Sequence, residues 1–460
     1  MHQRIAIIGG GWSGLSAAAR LCQDTSTARR DVVVFEAAPQ LGGRARGLLW
    51  EGLPIDNGQH LLLGCYEATR SLLAWAGAFP KAWTQTSLEW TSIRSGSQPL
   101  GLRIPSTAWP RRLLDAAQAA PPIDLVGWPL GARWGLAKLL FKARTCGWHA
   151  SGSAAAWLSP LSLDATVREG FCRPLIEGAL NTEWSQASAA VFLRVLKDSI
   201  GAEAGATDAL HPAGNLSASG INQIASRLET SGVQIQMGSR VSAIHPENTR
   251  WRLEGDDQGG LFDEVVFCLS ARDTARIWSR SELPGTPEVD RWSLVEPRGI
   301  ATLWLDWPMT LGRSLPAHRL NAIATSTGTV IVGLARPPGP WGQVLSLVAS
   351  AVPPASDWTQ ATSALWEAAD LWLAPQAACP IAALRHRITH ERHATWACTA
   401  DAVDSGAAWG RSSLGIKGLW RAGDDLCLGY PATIESAVRS GRQTADLLLL
   451  EEGQEGLRQS

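Results

Sequence analysis

The chain has no excess of charge of either sign, because its 460 residues include 41 basic and 42 acidic side chains. A protein with this balance lacks the overall positive field that draws proteins to nucleic acid or to acidic substrates. We therefore expect no nucleic-acid partner, and any charged ligand has to be bound by a local group of side chains.

Paired cysteines and long apolar runs are also missing. The eight cysteines include no CxxC pair and lie at positions 22, 65, 146, 172, 268, 379, 398 and 427. This spacing suits neither a zinc site nor a disulfide framework, so we expect no bound metal and a reducing cytoplasm. No stretch reaches the length of about 18 apolar residues that a membrane-spanning helix needs. The chain is therefore expected to be cytoplasmic, either free in solution or bound to the surface of a membrane.

The N-terminus does contain the pattern of a nucleotide-binding unit. An apolar strand over residues 4–8 leads into a glycine turn over 9–14, then a helix and a second strand over 32–35. Such glycines let the backbone approach a pyrophosphate, whose charge the helix N-terminus holds, and an acid after the second strand can bind an adenosine ribose. A tight turn without a ligand is the alternative, but it does not account for the flanking elements. The predicted dinucleotide-binding residues are Gly9, Gly11, Ser13, Gly14 and Glu36.

A second glycine turn, Leu-Gly-Gly-Arg-Ala over residues 41–45, follows shortly afterwards. Gly42 and Gly43 leave room for a ligand beside the backbone, and Arg44 is long enough to reach its phosphates. A surface turn with a solvated arginine is the alternative.

The pattern changes twice further along the chain. Residues 70–214 show helical segments broken by proline and glycine, with little strand signal. Strands then return, and one over 264–269 suits a central parallel strand of the nucleotide-binding sheet. Residues 276–384 leave that sheet again and include a helix over 359–373. The nucleotide-binding part is therefore predicted to be discontinuous.

The C-terminal section carries a second strong signal. A strand ends in Gly423 and Asp424, and a helix is predicted from residue 430 to beyond 441. A proline near its start would leave the N–H groups of Thr433 and Ile434 free to face an anion. An ordinary capped helix is the alternative, but it does not explain the preceding Gly-Asp pair. The polar tail over 451–460 is expected to be flexible.

Residues 101–150 combine seven lysines or arginines with four tryptophans, at positions 109, 128, 134 and 148. Basic side chains beside indoles suit the boundary between lipid headgroups and acyl chains. An amphipathic helix pair packed on the core fits the pattern equally well.

Together these motifs resemble the flavin amine oxidase and phytoene desaturase superfamily over nearly the whole chain. The resemblance implies an α/β fold, in which a discontinuous Rossmann-like FAD-binding domain carries an inserted α+β substrate domain of the amine oxidase type. FAD is the implied cofactor. The implied FAD-binding domain comprises residues 1–70, 215–275 and 385–450, and the substrate-binding, membrane-facing domain comprises residues 71–214 and 276–384.

The superfamily's binding roles can be carried over onto matching positions. By this resemblance Glu36 binds the adenosine ribose, Gly43 and Arg44 run along the phosphates and the ribityl chain, and Asp424 holds the ribityl-phosphate end. Val241 matches the backbone position that pairs with adenine. The positive end of the last helix would stabilise reduced flavin.

Shorter strings resemble one branch, the hydroxysqualene dehydroxylases of bacterial hopanoid synthesis. They are Asp-Asn-Gly-Gln-His over 56–60, whose Gly58 and Gln59 are expected to contact FAD, and the runs 173–182 and 192–198. The branch implies that reduced FAD converts a C30 isoprenoid, hydroxysqualene, to squalene, and that an unidentified electron donor reduces the FAD. Because both compounds dissolve in lipid, we expect peripheral attachment to the inner face of the cell membrane.

Two residues are candidates for the acid that protonates the leaving hydroxyl. His60 is the first, because its ordinary pKa of about 6.5 allows proton donation near neutral pH. A structural hydrogen bond to flavin or backbone is the alternative role. Tyr430 is the second candidate, and otherwise it only shapes the pocket wall.

Three other functions share this fold. Amine oxidases enclose the amine in an aromatic cage and keep a lysine near the flavin, which five lysines and two tyrosines make less favourable here. A carotenoid-type desaturase would run the flavin in the oxidising direction on a similar polyene. A prenyl-lipid escort protein would need no flavin, whereas both ends of a cofactor site are predicted in this chain.

Overall fold

The computed structural model of the chain describes residues 2–24, 29–104, 123–202, 205–256, 260–285, 292, 295–308, 314–317, 319–337, 342–377, 379–404, 412–427 and 429–459. In those ranges, no helix combines the length and the apolar character needed to cross a membrane.

The described strands and helices follow one another along the chain in a mixed order. The strands are β1 (His2–Ile8), β2 (Arg29–Glu36), β3 (Gly47–Trp50), β4 (Leu53–Asp56), β5 (Leu62–Leu63), β6 (Trp83–Thr86), β7 (Leu88–Arg94), β8 (Leu100–Ile104), β9 (Asp124–Val126), β10 (Ala209–Pro212), β11 (Gln234–Met237), β12 (Val241–Glu247), β13 (Arg250–Gly255), β14 (Leu261–Phe262), β15 (Glu264–Phe267), β16 (Pro297–Trp307), β17 (Arg319–Ala324), β18 (Val330–Ala335), β19 (Gln343–Val352), β20 (His386–Trp396) and β21 (Leu419–Arg421). The helices are α1 (Trp12–Gln23), α2 (Glu67–Trp75), α3 (Leu130–Thr145), α4 (Ala154–Leu158), α5 (Ala165–Val167), α6 (Arg173–Leu180), α7 (Ala189–Ser199), α8 (Asn222–Thr230), α9 (Ala271–Arg280), α10 (Thr359–Leu373), α11 (Ala400–Asp404) and α12 (Ile434–Gln459).

A five-stranded parallel sheet carries the N-terminal motif, with the strand order β11-β2-β1-β15-β21. Side chains of β1 alternate between its two faces. Ile5 and Ile7 pack in the core that contains α1 and α12 residues, while Ala6 and Ile8 pack in the core that contains Ile277 of α9. Both faces are buried, as the continuous apolar strands require. The predicted central parallel strand is confirmed as β15, which pairs with β1 and β21.

The second large sheet has eight strands in the order β20-β16-β19-β18-β17-β7-β8-β9. Helix α10, predicted over 359–373 and found over those residues, packs its apolar side on β16, β18 and β19. A separate core joins β7, β8 and β17 to the apolar sides of α3, α6 and α7. The sheet is therefore covered by helices, and the mixed α/β fold expected from the resemblance is confirmed.

One expectation about local structure was wrong. Residues 70–214 include five strands, β6 to β10, where the sequence showed little strand signal. In β7 the alternation of apolar and polar residues breaks at Ser92, which is polar but lies on the buried side with Trp90. Helix α12 continues to Gln459 and Glu452 forms a 2.7 Å ion pair with Arg30, and the flexibility of the tail over 451–460 stays a prediction.

One domain boundary also needs correction. Strand β20 pairs with β16 in the eight-stranded sheet, although the sequence analysis assigned residues 385–450 to the nucleotide-binding part. His390 pairs with Ala301 in that ladder, so residues 386–396 extend the second sheet. We propose that the third nucleotide-binding segment begins after Trp396, with the other bounds as expected from the sequence.

Candidate active site

A cavity of about 750 Å³ lies between the carboxyl end of β1 and the eight-stranded sheet. In open parallel sheets this edge is where ligands bind. Most residues that the sequence singled out line this cavity: Gly9, Gly11, Ser13, Glu36, Gly42, Gly43, Arg44, Gly58, Gln59, His60, Gly423, Asp424, Tyr430, Thr433 and Ile434. Gly14 and Val241 are not among its lining residues, and the adenine contact of Val241 stays a prediction.

The two glycine turns lie against each other at one end of the cavity. The N–H of Gly42 donates to the carbonyl oxygen of Gly10 over 2.9 Å. A Cβ atom added to Gly43 would lie 3.3 Å from Gly11 Cα, at a φ of +60° that favours glycine. A Cβ on Gly14 would overlap the carbonyl oxygen of Gly9. Gly11 and Gly43 thus keep the cavity open, while Gly14 lets α1 start close to the first turn.

Glu36 is held in place by backbone donors. Its Oε2 accepts the N–H of Gly10 and its Oε1 accepts the N–H of Ala38, both over 2.8 Å. A carboxylate has about four acceptor sites, so this arrangement leaves oxygen lone pairs for a ligand in the cavity. The geometry suits the predicted contact with two ribose hydroxyls.

Two ion pairs lie next to each other after the end of β21. Arg44 pairs with Asp424, and the charge of Asp424 raises the pKa of the Arg44 guanidinium. The next residue, Asp425, pairs instead with the fully buried Arg421 over 2.8 Å, and burial raises the pKa of Asp425. Of the four side chains, Arg44 and Asp424 line the cavity.

His60 has its ring fixed by Asn57. The Asn57 Nδ2 donates to the carbonyl oxygen of Arg44 over 2.9 Å, so its Oδ1 is turned toward the N–H of Arg46 and toward His60 Nε2, each 3.1 Å away. Because Oδ1 can only accept, Nε2 carries the hydrogen. Burial lowers the pKa of His60, so the ring is neutral near pH 7 and its Nδ1 is an acceptor. This geometry favours the structural alternative over the role of acid.

Tyr430 belongs to a cluster that the sequence analysis missed. Its hydroxyl donates to Asp198 Oδ2 over 2.7 Å and accepts a hydrogen bond from Arg194. Arg194 and Asp198 lie four residues apart on α7, and both line the cavity. The signal in the sequence was this spacing within residues 192–198, a string that carried the resemblance without an assigned role.

The start of the last helix differs from the prediction. Helix α12 begins at Ile434, and the N–H of Thr433 donates to Ser436 Oγ over 2.9 Å. The N–H of Thr433 is therefore already bonded to a side chain in the first turn of α12, and it is not available to an anion. Thr433 and Ile434 both line the cavity, so their contact with the cofactor stays a prediction.

The other half of the cavity is apolar. Its walls come from β7, β8, the start and middle of α6 and strands β17 to β19. These wall residues share large or branched hydrocarbon side chains: Leu88, Trp90, Leu102, Ile104, Phe171, Leu175, Leu320, Val332 and Val348. No short motif unites them, and the sequence analysis named none of them as site residues.

The family is decided by a match along almost the full length. A family model described as flavin containing amine oxidoreductase matches residues 12–449. The chain belongs to this family. The hydroxysqualene dehydroxylase of Rhodopseudomonas palustris is 27% identical, over 98% of this chain and 99% of the relative. The hydroxysqualene dehydroxylase of Sinorhizobium fredii is 26% identical over the same shares.

Solved structures show the same fold at lower identity. Cyclohexylamine oxidase from Brevibacterium oxydans has a TM-score of 0.67 and 18% identity, over 98% of this chain and 99% of that one. Putrescine oxidase in complex with putrescine has a TM-score of 0.68 and 16% identity, over the same shares.

FAD is therefore the cofactor of this chain, which is an FAD-dependent oxidoreductase. The residues present fit that cofactor. Glu36 is a fixed carboxylate that would suit a ribose, and Gly11 and Gly43 form a gap that a side chain would fill. Arg44, beside Asp424, would offer a guanidinium to phosphate oxygens.

Proposed function

We propose that this chain reduces hydroxysqualene to squalene. The observation that carries the proposal is the apolar half of the cavity, which has walls of hydrocarbon side chains. It is continuous with the half lined by the two glycine turns, Glu36, Arg44 and Asp424, which we propose binds FAD and call the FAD-binding half. The match of full-length relatives named hydroxysqualene dehydroxylase supports the choice of this C30 alcohol. A carotenoid-type desaturase would suit the same walls, and it differs in the direction in which electrons flow.

The proposed reaction replaces a carbon–oxygen bond by a carbon–hydrogen bond. FAD, when bound and reduced, supplies the hydride equivalent. The protein has to hold the reacting carbon in place, exclude water and deliver one proton, so that the hydroxyl leaves as water. The wall from β7, β8 and α6 would hold the substrate in place and exclude water. Its residues Trp90, Leu102 and Leu175 would surround the hydrocarbon of the substrate without offering it a polar partner.

A single-turnover experiment tests the proposal. Purified holoenzyme is photoreduced without oxygen, mixed with hydroxysqualene, and analysed for squalene and for return of the oxidised flavin spectrum. We expect about one squalene per flavin, formed in step with flavin oxidation. Absence of squalene, together with reduction of the oxidised enzyme by a polyene or by an amine, would instead favour a desaturase or an amine oxidase.

We also propose that α3 attaches the protein peripherally to an anionic bilayer. Leu130, Trp134 and Phe141 lie on its outer side with exposures of 76%, 75% and 69%. The opposite side, including Leu136 and Leu139, is buried in the core. The helix contains four basic and no acidic residues, which complements lipid phosphate. Of the tryptophans expected to reach lipid, Trp128 is buried and Trp109 lies outside the described residues.

Vesicle flotation tests this surface. The double variant Trp134→Ser with Phe141→Ser removes the two exposed rings and should lower binding to vesicles of equal parts phosphatidylcholine and phosphatidylglycerol at least about tenfold. Leu49→Ser, which changes an exposed side chain elsewhere, is the matched control. Unchanged flotation of the double variant would remove α3 as the attachment surface.

A further inference from the structure

One wall of the cavity carries a hydrogen-bonded cluster of three ionisable side chains, Arg194, Asp198 and Tyr430. The Tyr430 hydroxyl donates to Asp198 Oδ2 over 2.7 Å, and Arg194 Nε donates to the same oxygen over 2.7 Å. Arg194 also donates to the Tyr430 hydroxyl oxygen. The three groups thus form a closed triangle, and each of them lines the cavity.

The environment of Tyr430 keeps its phenol protonated. Burial raises the pKa of Tyr430 well above its ordinary value of 10, and the bond to Asp198 raises it further. Two guanidinium groups lie over the ring, with Arg194 at 4.2 Å and Arg439 at 4.7 Å from its centroid. The ring is therefore fixed in position, and its hydroxyl keeps its hydrogen, which it donates to Asp198.

The other acids and bases near this cluster either form hydrogen bonds within the protein or are kept in their neutral form by burial. Glu435 is fully buried and accepts from the N–H of Thr69, from the Thr69 hydroxyl and from Arg439 Nε. His60 donates its Nε2 hydrogen to Asn57. The groups that face the cluster from neighbouring elements are Cys65 and Tyr66 before α2, Cys427 before Tyr430, and Glu435 and Arg439 on α12. Burial keeps both cysteines as thiols by raising their pKa values, to about 12 for Cys65 and about 11 for Cys427.

Resting on the proposed function, we infer that Asp198 supplies the proton for the leaving hydroxyl and that Tyr430 passes it to the substrate. When Asp198 is ionised, the phenol donates to it and is not free for the substrate. When Asp198 takes up a proton, its O–H donates to the phenol oxygen, and the phenol hydrogen can turn to the substrate. Asp198 and Tyr430 are the catalytic acids in this scheme, and Arg194 is a positioning residue.

The step balances as follows. The substrate carbon–oxygen bond breaks with its electron pair on oxygen, which gains the phenol hydrogen and leaves as water. The carbon gains a hydride equivalent from the reduced flavin, and the phenol regains a hydrogen from the Asp198 carboxyl group. Asp198 is left as a carboxylate, which the Arg194 guanidinium at 2.7 Å stabilises.

Single-turnover kinetics test the acid role. In the wild-type holoenzyme the rate of squalene formation should fall as the pH rises, because only the protonated form of the acid can supply the proton in this scheme. Asp198→Asn and Tyr430→Phe should each be at least about 100-fold slower, and Asp198→Asn should lose the pH slope. Asp198→Glu should recover part of both. Lys197→Gln, a neighbouring exposed change on α7, is the matched control.

Binding to the oxidised holoenzyme gives a readout that needs no turnover. Titration of the flavin spectrum at acidic pH, where the scheme frees the phenol hydrogen for the substrate, should show that hydroxysqualene binds about tenfold tighter than squalene in the wild type. The preference should disappear in Tyr430→Phe, whose flavin spectrum also reports whether the site has folded.

Two results would overturn the inference. One is an Asp198→Asn enzyme that forms squalene within threefold of the wild-type rate with the same pH slope. The other is equal affinity of the wild type for the alcohol and the hydrocarbon in the titration at acidic pH. Failure of the proposed function is distinct, because then the reduced wild-type enzyme forms no squalene at any pH, whereas the binding comparison still decides whether the cluster recognises a hydroxyl.

Discussion

The two halves of the cavity are built in different ways. The FAD-binding half consists largely of backbone, with glycine turns at 9–14 and 41–45 that touch each other and with carboxylates held by N–H groups or by an arginine. The substrate half consists of side chains from β7, β8, α6 and β17 to β19, which lie far apart in the sequence. We propose that the backbone turns bind the cofactor and that the side chains of the apolar walls select the substrate.

The charges follow the same division. In the FAD-binding half each described charged group of the turn after β21 has a partner, as in Arg44 with Asp424 and Arg421 with Asp425. A second charged cluster, formed by Arg194, Asp198 and Tyr430, lines another wall of the cavity. We propose that the first set supports cofactor binding and that the second supports chemistry.

The largest effect is expected from breaking the buried ion pair behind the cofactor. Arg421→Met would leave the buried Asp425 without its cation, and removing one partner of such a pair costs about 3–5 kcal/mol. We expect a clearly lower thermal midpoint for the holoenzyme. The double variant Arg421→Met with Asp425→Leu should recover most of the loss. If the single variant unfolds at the wild-type temperature, this pair is not a structural support of the FAD-binding half.

A change to the backbone gap should separate cofactor binding from folding. At Gly11 the φ of −77° suits any residue, and an added Cβ would meet only Gly43 Cα at 3.8 Å. The Gly11→Leu variant should therefore fold, but its side chain should fill the gap between Gly11 and Gly43. We expect a loss of FAD affinity of at least about 100-fold, or ~2.7 kcal/mol. FAD titration of the apoprotein and its circular dichroism measure the two effects.

The matched control for this change is Gly285→Leu, because a side chain there enters open space. Full FAD occupancy in Gly11→Leu would show that the gap between the two turns is not where the cofactor passes. Loss of FAD in the control would point to a general effect of added leucine.

The same division explains how far the sequence could be interpreted. Glycine spacing and an acid after β2 report backbone geometry directly, so most residues that line this half of the cavity could be named from the sequence, while their contacts with FAD stay predictions. The walls of the substrate half depend on which strands become neighbours, and β7 pairs with β17 across more than 200 residues. No local pattern reports such a pairing. Strand β7 was missed for a different reason, because Ser92 stands where the alternation requires an apolar residue.

The capped Thr433 and the neutral His60 illustrate a second limit. The sequence predicted where both residues lie, but their chemistry depends on one hydrogen bond each, to Ser436 and to Asn57. A motif gives the position of a donor and not the group that already occupies it.

The substrate half can be altered without touching the FAD-binding half. Gly178 on α6 lines the apolar wall, and an added Cβ would lie 3.7 Å from Val332. Gly178→Phe should narrow the cavity and weaken C30 binding about 30-fold, or ~2 kcal/mol, with unchanged FAD content. Gly285→Phe, where a side chain meets open space, is the control. Loss of FAD in Gly178→Phe would mean that the two halves are not independent.

The smallest effect is expected at the junction of the two halves, at His60. Burial lowers the pKa of His60 below its ordinary value of 6.5, so the folded protein binds this proton less well than the unfolded chain does. The stability that the neutral ring contributes is therefore complete above about pH 6.5 and is lost as the pH falls through the lowered folded-state pKa.

His60→Gln keeps a donor for Asn57 Oδ1 but cannot titrate. The difference in thermal midpoint between pH 7 and about pH 5 should shrink on the order of 1–2 °C in this variant, which corresponds to about 1 kcal/mol or less. Squalene formation should stay within about threefold of the wild type, in contrast to Tyr430→Phe. A much slower His60→Gln enzyme with normal FAD content would move the proton source from the α7 wall to the junction, since the ring would then be needed for more than a hydrogen bond.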